Sequence, residues 1–160
     1  TGAVGEYIRD GLDYAQWLEN FKQGMSIART AREMRLDYTI TMPGLLELKN
    51  MFDLSRELDV QILTKVMFTF SDDEIFSPLA VTKPLLHEII DDALDHIKPR
   101  ATWKQQSMID VLENMKTRKC FTPTAKGKAR QIHIDKIRSV SIDDVLKNTK
   151  LWEWWNTIEV

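Results

Sequence analysis

The stretch LDYTITMPGLLELKNMFDLSRELDVQILTKVMFTF, residues 36 to 70, decides the fold class. Its two ends read as strands. In Asp37 to Met42, the apolar Leu36, Tyr38, Ile40 and Met42 alternate with Asp37, Thr39 and Thr41; in Gln61 to Phe70, Ile62, Val66 and Phe68 alternate with Gln61, Lys65 and Thr69. A period of two is the strand period. Between them Pro43-Gly44 signals a turn, and Leu45 to Leu58 carries Leu48, Met51, Phe52, Ser55 and Leu58 at helical spacing. Strand, helix and strand with short connections predict two parallel strands joined by a right-handed crossover. Parallel strands covered by helices on both faces are nearly all apolar. These two carry a polar face, which predicts strands that line a lumen where a small molecule binds.

Outward from this unit the pattern is helical. Asp13 suits an N-cap, and Tyr14, Trp17, Leu18, Phe21, Met25 and Ala28 predict a long amphipathic helix ending near Arg35. The opening TGAVGEYIR reads as a loop. SDDEIFSPLAVTKP is a second loop, followed by a helix over Pro84 to Ile97 with Leu86, Ile89, Ile90, Ala93 and Ile97 as its apolar stripe. Further helices are expected over Thr102 to Arg118, burying Trp103, Met108, Ile109, Leu112 and Met115, over Lys126 to Ile137, and over Ile142 to Lys147 behind Ser141. Leu151, Trp152, Trp154 and Trp155 either dock on the core or form an exposed partner site; docking is favoured because a buried indole contributes much apolar area.

With 160 residues, 43% apolar content and a net charge of -2, the chain is sized for one core and offers no case for nucleic acid or an anionic membrane. The basic run Lys126 to Arg130, with Lys136 and Arg138, reads as a solvated helix face. No stretch reaches the roughly 18 apolar residues of a membrane span, and the N-terminus lacks a signal-peptide shape. A cytoplasmic location is expected. Cys120 is the single cysteine, so neither an internal disulfide nor a thiolate metal cage can form; His87, His96 and His133 make no ligand pattern.

The segment GEYIRDGLDYAQWLENF, residues 5 to 21, resembles a segment of radical S-adenosylmethionine enzymes: Ile8, Arg9 and Gly11 match an "iR-G" pattern that follows the fourth barrel strand, and Trp17, Leu18 and Asn20 continue it. FSPLAVTKPLLHEI (76 to 89), VLENMKTR (111 to 118) and IDKIRSVSIDDVL (134 to 146) look like the C-terminal region of the twitch-domain-containing members. The resemblance implies an α/β fold: residues 1 to 80 as the C-terminal half of a partial (β/α)6 barrel, with Asp37 to Met42 and Gln61 to Phe70 as its fifth and sixth strands. Residues 81 to 160 would then be a helical C-terminal extension packing on it. It further implies an enzyme that cleaves S-adenosylmethionine to a 5'-deoxyadenosyl radical and abstracts hydrogen from a peptide or small molecule. The C-x3-C-x2-C loop that binds the 4Fe-4S cluster, the Gly-Gly-Glu motif and auxiliary-cluster cysteines are absent. The chain therefore reads as a fragment whose partner is the upstream half of the same polypeptide, and which is inactive alone.

Under this resemblance Arg9 stands where a cation meets the cofactor carboxylate; the alternative is an ion pair with Glu6 or Asp10. Thr39 and Thr41 are cofactor candidates, Thr41 at the strand end where parallel barrels collect active-site groups, although threonine also simply favours strands. Lys65, a lysine in a strand expected to be buried, needs a ligand, a carboxylate such as Asp37, or water; Met67 and Thr69 are expected to continue its face as substrate contacts. Asp72, Asp73 and Glu74 either touch substrate or form a solvated loop. Two other functions stand beside the leading one: a barrel lyase with Lys65 as a burial-activated Schiff-base nucleophile, and a non-catalytic interaction module.

Overall fold

The computed structural model describes residues 1–29, 33–71 and 73–160. Helix α1 (Gly2–Ile8) leads to α2 (Tyr14–Ile27), whose first turn is capped by the Asp13 carboxylate accepting from the Gln16 N–H at 2.9 Å. Strand β1 (Arg35–Ile40) runs into a 3-10 turn at Pro43–Glu47, then α3 (Leu48–Glu57) and β2 (Gln61–Val66). Helices α4 (Lys83–Ile97), α5 (Gln106–Thr117), α6 (Ala125–Arg138), α7 (Ile142–Leu146) and α8 (Lys150–Thr157) complete the described chain.

The strands pair in parallel, with Arg35 opposite Gln61 and Thr39 opposite Lys65. This is a mixed α/β arrangement, mostly helical. Leu36, Tyr38 and Ile40 share one face with Ile62 and Thr64, and all five are buried. The opposite face carries Arg35, Asp37 and Thr39 beside Gln61, Leu63 and Lys65, none of them buried. One face thus meets the helices and the other stays open. Below the covered face the core is built from Leu48 and Phe52 of α3, Leu86, Ile90 and Ile97 of α4, and Met108, Leu112 and Met115 of α5, all fully buried. Among the described residues no helix is long and apolar enough to cross a membrane.

Several boundaries differ from those the sequence predicts. Strand β1 begins earlier and ends at Ile40, because Met42 turns to donate its N–H to Phe76 O at 2.6 Å. Strand β2 ends at Val66; Met67 still donates to Ile40 O at 3.0 Å, but Phe68 to Phe70 leave the sheet. The opening segment is a helix, held by the buried ring of Tyr7, and α2 stops at Ile27; the expected continuation to Arg35 crosses positions 30 to 32, outside the described residues. Trp103 is 64% exposed where burial was expected. Of the tryptophan tail, Leu151, Trp154 and Trp155 dock as expected, whereas Trp152 stays exposed.

The basic run does not lie wholly in solvent. Lys128 is buried under Trp155, its ammonium 5.2 Å from the ring centre and donating to Trp155 O (2.9 Å) and Ile158 O (2.7 Å). Burial pulls its pKa below the ordinary lysine value. Two carbonyls and a π face replace the lost hydration.

Candidate functional site

The direction of the main chain decides which strand edges are open. In a parallel pair, each residue aims its N–H and C=O to the same side, alternating along the strand. Since Ile40 O accepts from Met67, Leu36 and Tyr38 also aim at β2, and the main chain of Arg35, Asp37 and Thr39 aims outward. Along that outer edge of β1 lies a cleft of about 340 Å³.

Each wall follows from local sequence. On α2, Tyr14, Trp17 and Phe21 recur three and four residues apart, so their rings form a ladder: Tyr14 stacks on Trp17 at 5.7 Å and Trp17 meets Phe21 at 5.5 Å. Opposite them the Pro43–Glu47 turn is locked by two bonds. Tyr38 donates its hydroxyl to Gly44 O at 2.5 Å, and the Gly44 N–H donates to Thr41 Oγ1 at 3.1 Å. A Cβ at Gly44 would sit 3.0 Å from Thr41 Oγ1 and 3.4 Å from the Tyr38 hydroxyl, so glycine is what lets the turn close this tightly. Glu47, buried at the end of the turn, accepts from Asn50 Nδ2 at 3.3 Å and from the Thr1 hydroxyl.

Arg9, Thr39 and Thr41 all line this cleft. Neither ion pair considered for Arg9 forms: Glu6 accepts from the Tyr14 N–H, and Asp10 pairs with Arg138 at 3.3 Å. The exposed Arg9 guanidinium has no partner among the described residues and is available to an anion. Thr41 is buried, and its oxygen is engaged in the turn. Thr39 offers its main chain to the cleft and its side chain to the open face.

The other candidates do not converge as expected. Lys65 stands opposite Thr39 but is exposed, so burial neither forces a partner on it nor activates it as a nucleophile. Asp37 pairs with Arg35 at 3.4 Å instead. Thr69 bonds Ser77 Oγ at 2.7 Å, and Met67 lines a separate cleft against α5, so neither continues the Lys65 face. Asp73 is held by Thr124 and Lys126 rather than facing solvent or the cleft, while Asp72 lies outside the described residues. Among the described residues no group of three or more potential ligands could hold a metal ion. Cys120 is half-buried and burial raises its thiol pKa.

No family model, no curated protein and no solved structure matches this chain. The geometry therefore speaks alone. It adds Tyr14, Tyr38, Gly44 and Glu47 to the residues picked out from the sequence. The spacing of Tyr14 with Trp17 and Phe21 was the available signal for the aromatic wall, but it equally fits a core-facing helix.

Tyr38 beside the cleft and Tyr7 beneath α6 both have phenol pKa values raised well above the ordinary 10.0. Burial is the first cause in each case, followed by the nearby charges of Glu47 and Asp135 respectively. Above pH 10.0 the unfolded chain gives up phenol protons that the folded chain retains, so this contribution to stability is complete below 10.0 and falls as pH rises. Urea midpoints measured from about pH 9 to about pH 11 should drop more steeply for the parent chain than for Tyr38→Phe. Equal slopes would show that Tyr38 ionises freely.

Proposed function

We propose that this chain is the C-terminal half of a radical S-adenosylmethionine barrel, completed by upstream polypeptide that adds a strand to the outer edge of β1. The single observation that carries the reading is the parallel pair itself. Thr39 stands beside Lys65 on a polar face that no helix seals, next to a strand edge whose main-chain groups point into a cleft. An unpaired edge is completed by another strand, and a polar face on parallel strands suits an enclosed lumen.

The residues present do not fit an iron-sulfur cluster: one thiol, Cys120, cannot supply three thiolates. Cluster ligands belong to the upstream half in this proposal. S-adenosylmethionine, held in part by this chain and given one electron by a cluster in the upstream half, would supply the 5'-deoxyadenosyl radical for hydrogen abstraction from a peptide or small molecule, with methionine as the other product. This chain's part is positioning and the exclusion of water. Arg9 offers a fork of donors suited to a carboxylate, the Thr39 hydroxyl on the open face can bond a ribose, and the Tyr14 and Trp17 rings, which line the edge cleft, would pack against the added strand. The two alternatives lose footing, because Lys65 is exposed and the tryptophans of the tail are largely docked.

The test compares two proteins under anaerobic reconstitution with iron, sulfide, reductant and S-adenosylmethionine. A longer polypeptide that includes this chain should form 5'-deoxyadenosine, with Arg9→Ala raising KM about tenfold or more while leaving iron content unchanged. The 160-residue chain alone should bind no stoichiometric iron and form none. Deoxyadenosine from the short chain, or none from the iron-loaded long one, overturns the proposal.

A further inference from the structure

Of the six residues on the open face of the sheet, three are charged, and one of these charges is unanswered. Arg35 and Asp37 neutralise each other at 3.4 Å, while Thr39, Gln61 and Leu63 carry no charge. Lys65 is exposed, and its ammonium has no partner among the described residues. Two cations against one anion leave the face positive, and the surplus sits at Lys65.

The place of this charge matters as much as its sign. Thr39 and Lys65 are the last-but-one residues of β1 and β2, at the carboxyl ends of a parallel pair, where such sheets gather their ligands. Neighbouring strands lie about 4.8 Å apart, so a guest bonded to the Thr39 hydroxyl has the Lys65 ammonium beside it.

Topology narrows what can answer the charge. A strand added to the outer edge of β1 has Thr39 as its neighbour, with β1 standing between it and Lys65, so cross-strand pairing brings none of its acids to the ammonium. On the far side of β2, the Thr64 N–H donates to Ser107 Oγ of α5 at 3.0 Å, so the helix holds that edge at the same level. Once upstream polypeptide encloses the face, the ammonium loses water, and leaving it unpaired is costly. A guest's anion fits the place. Leu63 is the one apolar side chain among the six, so the face lacks the row of pockets that peptide side chains need.

We propose that Lys65, with Thr39 beside it, binds the carboxylate of a small organic acid at the carboxyl end of the sheet. This rests on the enclosed lumen proposed above. Within that function it makes the substrate a carboxylate-bearing small molecule rather than a peptide, held next to the ribose on Thr39, with Lys65 as its counter-ion.

The experiment uses the longer polypeptide that includes this chain, prepared without iron, with glutarate as the probe and its uncharged diamide as the control. Saturation-transfer NMR should show glutarate binding about tenfold tighter than the diamide. Lys65→Gln should weaken glutarate about tenfold and leave the diamide unchanged, and Lys65→Arg should keep the binding. Glutarate should also slow acetylation of Lys65, read by mass spectrometry, without slowing that of the exposed Lys119. Equal affinity for the diamide, glutarate binding that survives Lys65→Gln, or no protection of Lys65 would each overturn the proposal, the last because an upstream acid then holds the ammonium. No readout here needs a cluster or a radical. Protection without deoxyadenosine formation by the iron-loaded protein would sink the radical chemistry and keep the anion site; deoxyadenosine without protection would do the reverse. Lys65 is exposed, so both variants are expected to fold, which circular dichroism checks directly.

Discussion

Asp135→Ala is expected to lower the unfolding free energy by about 3–5 kcal/mol, the range for removing one partner from a buried charged network. Asp135 is only 5% exposed, and its two oxygens accept from the Tyr7 hydroxyl (3.0 and 3.1 Å), Gln131 Nε2 (2.8 Å) and the Ile142 N–H (2.8 Å). One carboxylate thereby joins α1, α6 and the first residue of α7. Arg138 extends the cluster, donating to Tyr7 O at 2.7 Å and lying over its ring. Truncation would strand three donors in a place that water reaches poorly, and a buried unsatisfied donor costs about 1–3 kcal/mol. Asp135→Asn keeps one acceptor oxygen and should lose less. Urea unfolding at neutral pH measures both, and a loss under about 1 kcal/mol for the alanine variant would show that the cluster is hydrated. Because Gly5 and Ile8 of α1 and the Arg9 that follows them line the first cleft, the same variant should also weaken whatever that cleft binds.

Gly127→Ala should destabilise by about 2 kcal/mol, although a glycine-to-alanine change inside a helix normally stabilises by about 1 kcal/mol. The reversal comes from the loop after β2. A Cβ on Gly127 would lie 2.7 Å from Asp73 O and 3.2 Å from Asp73 C, which are main-chain atoms with little freedom to yield. That loop is fastened at the same place: the Thr124 hydroxyl donates to Asp73 Oδ1 at 2.5 Å while also capping α6, and Lys126 pairs with Asp73 at 2.9 Å. These contacts, the Thr124 bond first, hold the Asp73 pKa below its ordinary 3.8. A methyl group must push the loop off the helix and break them. Thermal or urea unfolding of Gly127→Ala decides the sign; a gain in stability would mean the loop is not seated on α6.

What the sequence made legible, and what it did not, follows from which forces are local. The alternation in residues 36 to 42 and 61 to 66 is set by the strand period, so the strands and their polar face could be read directly, and the single helix between them gave their parallel sense, with Thr39 beside Lys65. Alternation says that one face is polar; whether that face meets a lumen or solvent is set by what lies across from it, and Lys65 proves exposed. Helix α1 was hidden because Gly2 and Gly5 are poor helix formers, and its order depends on Tyr7 reaching residues more than a hundred positions away. The burial of Lys128 is hidden for a related reason. In sequence it belongs to a charged run, but its burial is imposed by Trp155 and by carbonyls at the end of α8. Arg9, Thr39 and Thr41 did come together, whereas Met67 and Thr69 separated because the chain leaves the sheet after Val66 and local periodicity carries no notice of that bend.

None of the 14 residues of α2 is buried, yet its Tyr14, Trp17 and Phe21 form an entire side of the first cleft. Its Trp17, Leu18, Phe21 and Met25 pack on the core only partly buried, and segments held by such contacts detach transiently at an energetic cost below that of global unfolding. The aromatic side of the cavity is thus its most easily displaced part.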